Sequence, residues 1–546
     1  MAFIGKNVIE NLTTGMYEDA KIIYREYIQN SADSIDQAIK TSLLKKNEAY
    51  IDVTIPSYEN NIFIEDNAMG ISVDNFKTIL SDIAASNKDK TENKGFRGIG
   101  RLGGLAYCNK LIFESSYKGE NKKSIMTWDA KKLREIINDI NNNIEASLLI
   151  DNVTTYETQE ENIESHYFKV SMIDVLEEND ELLNITEVKQ YLEEVAPVPY
   201  VNKFIYRNAI YDFIKNNGFK LDEYNIKLNG EDIFKQYTSD LYKYKNDKIK
   251  DDKSKEIYDK ISDIVFEKLE SNEIVYGWLW YGICRFEKQL PSINRMRGLR
   301  IRKENIQIGT DNTLSNQNLF KEPRSNYYFI GEIHVTHTAL IPNARRDYFN
   351  QNYTCNIFEN ILKEITYDKL YDIYHFANNY KNAVKKISNN SKEVIILEED
   401  IKSGKSIDSD DLKNKNKKLE QCYKVIETNK SEINKIKNRY ADKLPTNLSD
   451  RIYKAIDTHY TIDKIECKNN ISSSDKPNDY VDIKSLSKNQ KYLSQELSQL
   501  NKKEQLLVSN IYRLISKFVP ETISNDLIAK IHNSLKNEYR KKNKNE

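Results

Sequence analysis

Between Ile22 and Ile39 the chain reads IIYREYIQNSADSIDQAI, and Glu26, Asn30, Asp33 and Gln37 recur at i, i+4, i+7 and i+11. Turned at about 100° per residue, that spacing predicts a helix with two carboxylates and two amides along one polar stripe. No lysine or arginine shares the stripe, and a metal–nucleotide complex is a natural counterpart for such a row. Taken alone, the same residues also describe an amphipathic helix with a solvated acidic face. A second carboxylate stands where the apolar run Ile62–Ile64 ends on Glu65 and Asp66. A carboxylate at a strand end beside a tight turn can face a pocket and accept a base amino group, although one acidic residue there can equally serve the turn. A third feature is the segment KGFRGIGRLGGLAYC, which crowds Gly95, Gly98, Gly100, Gly103 and Gly104 together. Glycines let backbone N–H groups approach phosphate closely, or let elements pack tightly.

The elements that must position these residues follow from pattern. Ile28, Ala32, Ile35 and Ile39 give the helix an apolar face opposite the polar stripe. AYIDVTIP (49–56) alternates as a strand, and Asn67-Ala68-Met69-Gly70 makes a turn before a helix capped by Ser72. Residues 86–94 carry no apolar periodicity and read as a lid. Strands are expected over 110–114, 124–128 and 167–172.

In that order, E-x-x-x-N-x-x-D, D-x-x-x-G and a glycine-rich lid end resemble the GHKL ATPase superfamily of gyrase, HtpG-type chaperones, histidine kinases, MutL and MORC proteins. REYIQNSADSIDQA is closest to the chaperone and MORC form of the first box. The resemblance implies an α+β protein with a Bergerat-type ATP-binding α/β sandwich that uses ATP and Mg²⁺. Glu26 would be the general base, Asn30 the Mg²⁺ ligand, and Asp33 a support on the nucleotide side. Asp66 would accept the adenine amino group beside Gly70. Gly95, Gly98, Ile99 and Gly100 would wrap the triphosphate, with Lys88 reaching a phosphate from the lid. Two positions depart from the family: Ala68 replaces the usual glycine of D-x-G, and the customary threonine is missing near 166–170.

After a helix at 186–195, APVPY (196–200) opens a second unit. Strands are expected at 273–286. NRMRGLRIRKENIQIGT brings together Arg295, Arg297, Arg300, Arg302 and Lys303, which reads first as a basic edge strand facing water and second as a phosphate or nucleic-acid groove. GEIHVTHTALIPNARRDYF (331–349) predicts a strand ending at Pro342 and then a turn. It resembles the middle-domain catalytic loop of HtpG-type chaperones, which implies that Arg346, with Arg345 as its rival, reaches the γ-phosphate. An Arg–Asp surface pair is the plainer alternative. The resulting division is an ATP-binding domain at 1–185, a transducer domain at 186–375 and a helical region at 376–546.

In that last region Leu412, Leu419, Ile426, Ile433 and Tyr440 recur every seven residues, as do Leu486, Leu493, Leu500, Leu507 and Leu514. Two heptad runs suggest two long helices that pair with each other, for dimerisation or partner docking. Lysine plus arginine (82) nearly balances aspartate plus glutamate (83), giving a net charge of −1. No global field for nucleic acid results, so DNA is not the favoured partner. The longest apolar run, 274–284, falls short of the roughly 18 residues of a membrane span. Five scattered cysteines without metal spacing suggest reduced thiols in the cytoplasm. The expected function is ATP hydrolysis coupled to a conformational cycle on a protein client or effector, in which bound Mg·ATP closes the lid and favours homodimerisation and hydrolysis reopens them. The alternatives are a MutL- or MORC-like DNA clamp and an ATPase subunit of anti-phage defence.

Overall fold

In the computed structural model, helix α2 (Ile22–Lys40) buries Ile23, Tyr24, Tyr27, Ile28, Ala32 and Ile35. That stripe is wide enough to hold a surface helix on a sheet. The polar stripe divides: Glu26 and Asp33 are buried, Asn30 is half-buried, and Gln37 is exposed. The structure describes residues 4–13, 19–82, 100–246, 252–286, 288–403, 406–407, 409–460, 493–497 and 500–542. Lys88, Gly95, Gly98 and Ile99 lie outside them. The chain forms two compact units, Met1–Tyr371 and Asp372–Glu546.

The first unit holds two main sheets. The larger is built from β1 (Ile51–Thr54), β2 (Ile62–Asp66), β3 (Cys108–Ser116), β4 (Lys122–Asp129), β5 (Thr154–Glu160), β6 (Tyr167–Val175), β7 (Ile226–Leu228) and β8 (Glu231–Asp232). Its order is β5-β4-β3-β6-β2-β1-β7-β8. All neighbours are antiparallel except β1 and β7, which run parallel, Ile51 opposite Ile226. The last two strands therefore come from well beyond residue 185. Ile51, Val53, Ile62, Ile64, Leu111 and Phe113 share one core with α2.

The smaller sheet has the order β11-β12-β15-β13-β14, after a hairpin of β9 (Asp240–Tyr244) and β10 (Lys255–Lys260). Its strands are β11 (Asp263–Ser271), β12 (Ile274–Ile283), β13 (Gly298–Lys303), β14 (Ile306–Gln307) and β15 (Ile330–Val335). Two expectations change here. The strand before the arginine loop ends at Val335, and Pro342 only forms an isolated bridge to Phe349. The strand of the basic segment is not a solvated edge. β13 lies inside the sheet, so Arg300 and Arg302 are buried. Arg300 meets Glu194 at 3.2 Å, and Arg302 pairs with Glu332.

Glu332, at 0% exposure, is the hub of a buried network. It receives Lys235 Nζ at 3.1 Å, His334 Nε2 at 2.9 Å, the Tyr237 hydroxyl at 3.2 Å and the Tyr200 hydroxyl. Tyr200 and Lys235 belong to the segment around β7 and β8, so the network fastens that end of the larger sheet to the smaller one. Buried charge is tolerated only when so fully bonded. Against the cost of burial, Arg302 and Lys235 hold the Glu332 carboxyl well below its usual range. Burial pulls the Lys235 ammonium down to about 7 and His334 down to about 4.

In the second unit α10 (Tyr371–Lys402), α11 (Ser409–Tyr440) and α12 (Thr446–Tyr460) precede α13 (Lys502–Phe518) and α14 (Glu521–Lys542). The first heptad run falls on α11, but its partner is α10: Leu419, Tyr423 and Ile426 pack on Val394 and Leu397. Lys418 meets Glu393 at 2.6 Å across the same seam. The second run is not one helix. Leu493 sits in a short 3-10 turn, Leu500 precedes α13, and Leu507 and Leu514 are exposed. α13 packs instead on α14, with the Tyr512 hydroxyl 3.3 Å from His532 Nδ1. Leu486 lies outside the described residues.

The network sets a pH dependence. Between about 6.5 and about 4 the unfolded chain protonates His334 while the folded chain does not, so stability falls as pH drops through that window. The cost by pH 4.5 is about 2 kcal/mol. Thermal melts at pH 7 and pH 4.5 should show that loss in the native chain. His334→Gln, which keeps a donor for Glu332 without titrating, should show it reduced.

Candidate active site

Glu26 lies on the first turns of α2, and its carboxylate is bracketed by two guanidinium groups and a glycine. Arg346 Nε stands 3.0 Å from Glu26 Oε1, and the Arg25 terminal nitrogen is 3.7 Å from the same oxygen. A Cβ at Gly100 would lie 2.4 Å from Glu26 Oε2, so a side chain there would have to displace the carboxylate. Arg346 therefore crosses some three hundred residues of sequence to reach the stripe that lacked a cation of its own.

The arginine is aimed by a strained turn. Arg346 N donates to Asn343 O at 3.2 Å, and Arg346 O accepts from Gly309 N at 2.8 Å. Arg346 adopts φ +55, a left-handed conformation that a non-glycine residue holds only when its surroundings impose it. Asn343 closes the loop by bonding the Asp347 side chain. Arg345 is exposed, and its carbonyl accepts from Arg25 at 3.3 Å. Of the two candidates, Arg346 is the one beside Glu26.

Asp66 ends β2 at 1% exposure, and α2 packs on both β2 and the 3-10 turn Gly100–Ala106. One Asp66 oxygen accepts from Ala68 N at 3.1 Å. Asn67 pins the turn by accepting from Tyr50 N at 2.9 Å and donating to Glu48 O at 2.8 Å. Gly70 has φ +69, and a Cβ there would sit 2.0 Å from Ser116 O. Ala68 is wholly buried, so its methyl packs into the core instead of lining solvent.

The missing threonine has a structural replacement. The register places Phe168 opposite Asp66, so no hydroxyl stands there. The polar support comes from His166 and Ser115. His166 Nδ1 lies 3.0 Å from Asn67 O and 2.8 Å from Ala68 O, which requires the proton on Nδ1. Ser115 Oγ accepts from Ile71 N at 2.7 Å and donates to Tyr167 O at 3.0 Å. Sequence reasoning missed both residues, as it missed Arg25, because nothing in their local pattern marks them.

The site also fits a polyanion with its cation. Buried polar atoms without a hydrogen-bond partner gather around α2: Arg25 Nε, Glu26 Oε1, both ends of Gln29, Arg101 Nε and Asn343 Oδ1. Unmet groups of this kind are rare in folded proteins; the nitrogens among them can donate to phosphate oxygens, and the oxygens can accept from water or meet a cation. Among the described residues no cluster of three His, Cys, Asp or Glu could hold a metal. A Mg²⁺ ion here would be held by Asn30 and by the substrate's own phosphate oxygens, the usual sparse protein ligation of that ion.

Gly70→Ala should lower stability by more than about 2 kcal/mol, since the new Cβ meets backbone oxygen and φ is positive. A thermal melt measures it; an unshifted melting temperature would mean the turn can relax.

Residues 19–161 match a family model described as Histidine kinase-, DNA gyrase B-, and HSP90-like ATPase. The chain is 30% identical over 156 residues to the Chaperone protein HtpG of Buchnera aphidicola subsp. Baizongia pistaciae, covering 25% of each chain. It is 22% identical over 147 residues to the Chaperone protein HtpG of Helicobacter hepaticus, covering 24% of each. The chain thus spans about a quarter of the length of the curated relatives it matches. The family-model match spans α2 and β1 to β5 of the larger sheet, and over that region the chain resembles the GHKL ATPase superfamily, with HtpG chaperones among its relatives.

Proposed function

We propose that the chain binds and hydrolyses Mg·ATP, and that hydrolysis drives a conformational cycle acting on a protein client or partner. The observation that carries this reading is the 3.0 Å contact between Glu26 and Arg346, which unites the first box of the ATPase domain with the arginine loop after β15. Glu26 accepts the proton of the attacking water. Arg346 stabilises the charge that grows on the transferred phosphoryl, where a planar guanidinium can bond two oxygens. Arg346 pairs with Glu26, and a γ-phosphate would compete for that guanidinium and release the carboxylate toward water. Bound through Asn30, Mg²⁺ would neutralise phosphate charge. Asp66, set by His166, Asn67 and Ser115, accepts the amino group of the base, and Asp33 supports the nucleotide side of α2. Lys88, Gly95, Gly98, Ile99 and Gly100 close over the triphosphate.

A protein partner is favoured over DNA for a specific reason. Arg300 and Arg302, the strongest sequence support for a nucleic-acid groove, are spent in buried ion pairs. On α13, Leu507, Ile511, Leu514 and Phe518 are all exposed at helical spacing, which supports docking of a second copy or a partner. Among the described residues no helix is long and apolar enough to cross a membrane.

Calorimetry and steady-state turnover test the assignment. Glu26→Ala should bind ATP normally while turnover falls about a hundredfold or more. Asp66→Asn should lose the binding heat. Arg346→Ala should lose at least about a hundredfold in kcat, with Arg345→Ala close to native. If ATP gives no heat with the native chain, the reading is wrong. Addition of DNA over a range of salt should leave turnover unchanged.

A further inference from the structure

Gln29 occupies the helix position between the two carboxylates, i+3 from Glu26 and four residues before Asp33, so all three border one face of α2. It is 1% exposed. Neither its Oε1 nor its Nε2 has a hydrogen-bond partner among the described residues. A primary amide can accept at oxygen and donate twice from nitrogen. Shutting both ends away from water unbonded is costly, and leucine would fill the same space without that cost. Arg25 Nε on the same face likewise lacks a hydrogen bond, and Glu26 Oε1 has only its ion pairs with Arg346 and Arg25. Polar atoms left unmet on consecutive turns beside Glu26 belong to something they jointly bind.

We infer that Gln29 is a second catalytic residue, the amide that orients the attacking water together with Glu26. This rests on the ATP-hydrolysing reading above. A water held by two acceptors, Glu26 Oε1 for one proton and Gln29 Oε1 for the other, has a lone pair left to face the γ-phosphorus. As the water oxygen bonds to phosphorus, its proton passes to Glu26. The bridging P–O bond breaks and its electron pair leaves on the β-phosphate of ADP. Gln29 Nε2 donates to a γ-phosphate oxygen and fixes the amide's orientation. An amide is suited to this task because it accepts the second water proton without competing to remove it.

The test compares Gln29→Leu and Gln29→Glu with the native full-length chain, reading ATP affinity by calorimetry, kcat across pH, and melting temperature. Gln29→Leu should lose about a hundredfold in kcat with affinity within about threefold and a melting temperature equal or higher. Gln29→Glu keeps an acceptor but sets a second negative charge beside Glu26, so the acid limb of its kcat profile should move up by about one pH unit. A structural amide would not cost kcat in Gln29→Leu while affinity and melting temperature hold. Full turnover in Gln29→Leu, or an unmoved acid limb in Gln29→Glu, overturns the inference, and the second result decides if Gln29→Leu does not fold. With an active native chain and an inactive Glu26→Ala, such a result removes Gln29 alone. A native chain without ATP turnover removes the hydrolytic reading and this inference with it.

Discussion

The contact between Glu26 and Arg346 is possible only because two sheets are held in one relation. Both side chains are buried, and in that setting the cost of desolvating two ions roughly cancels their attraction. The pair therefore contributes little to holding the sheets together; it depends on other contacts for its geometry. Those contacts are at the joint. β7 and β8 extend the larger sheet, and the segment they lead into delivers Lys235 and Tyr237 to Glu332 on the smaller sheet. From Glu332 at the centre of β15, the chain runs through the 336–342 stretch into the turn that carries Arg346. A displacement at the joint would be felt at Glu26 through a short length of chain.

The first box was legible because its information is local. A helical period, an apolar face and three polar types at fixed spacing identify α2, and the structure places the helix at Ile22–Lys40. The strand ending on Asp66 was equally clear, since a short apolar run followed by a glycine turn leaves few alternatives. What escaped was decided by pairing between distant segments. Alternation made β13 look like a wet edge, yet β15 and β14 flank it and Glu194 and Glu332 wait for its arginines. The first heptad run predicted its helix face on α11, but a seven-residue repeat does not name its partner. The first run packs on the preceding helix in sequence, where a short connection makes closure cheap, and the second does not form one helix.

Departures from the family pattern beside Asp66 are local exchanges that preserve the backbone. With Phe168 opposite Asp66, the hydroxyl support is lost from β6. His166 and Ser115 take hold of the same turn through its carbonyls and N–H groups. Ala68 is accommodated because its side chain turns into the core, whereas Gly70 has no such freedom: Ser116 O blocks the space a side chain would need. The constraint at this end falls on the path of the backbone, and the side chains around it are free to vary so long as that path is kept.

The two polar clusters of the first unit are built on opposite rules. At the joint every listener of Glu332 is bonded: arginine, lysine, histidine and two tyrosines converge on one carboxylate. A saturated network of that kind resists rearrangement, because moving any member strands a buried charge. Around Glu26 the opposite holds. Its own oxygen, the Arg25 Nε and the Gln29 amide have hydrogen-bonding capacity unused, and Arg346 is held in a left-handed turn. Such a cluster is disposed to change partners when a better acceptor arrives. A rigid joint next to an unsatisfied site lets a ligand redirect one arginine without loosening the frame that aims it.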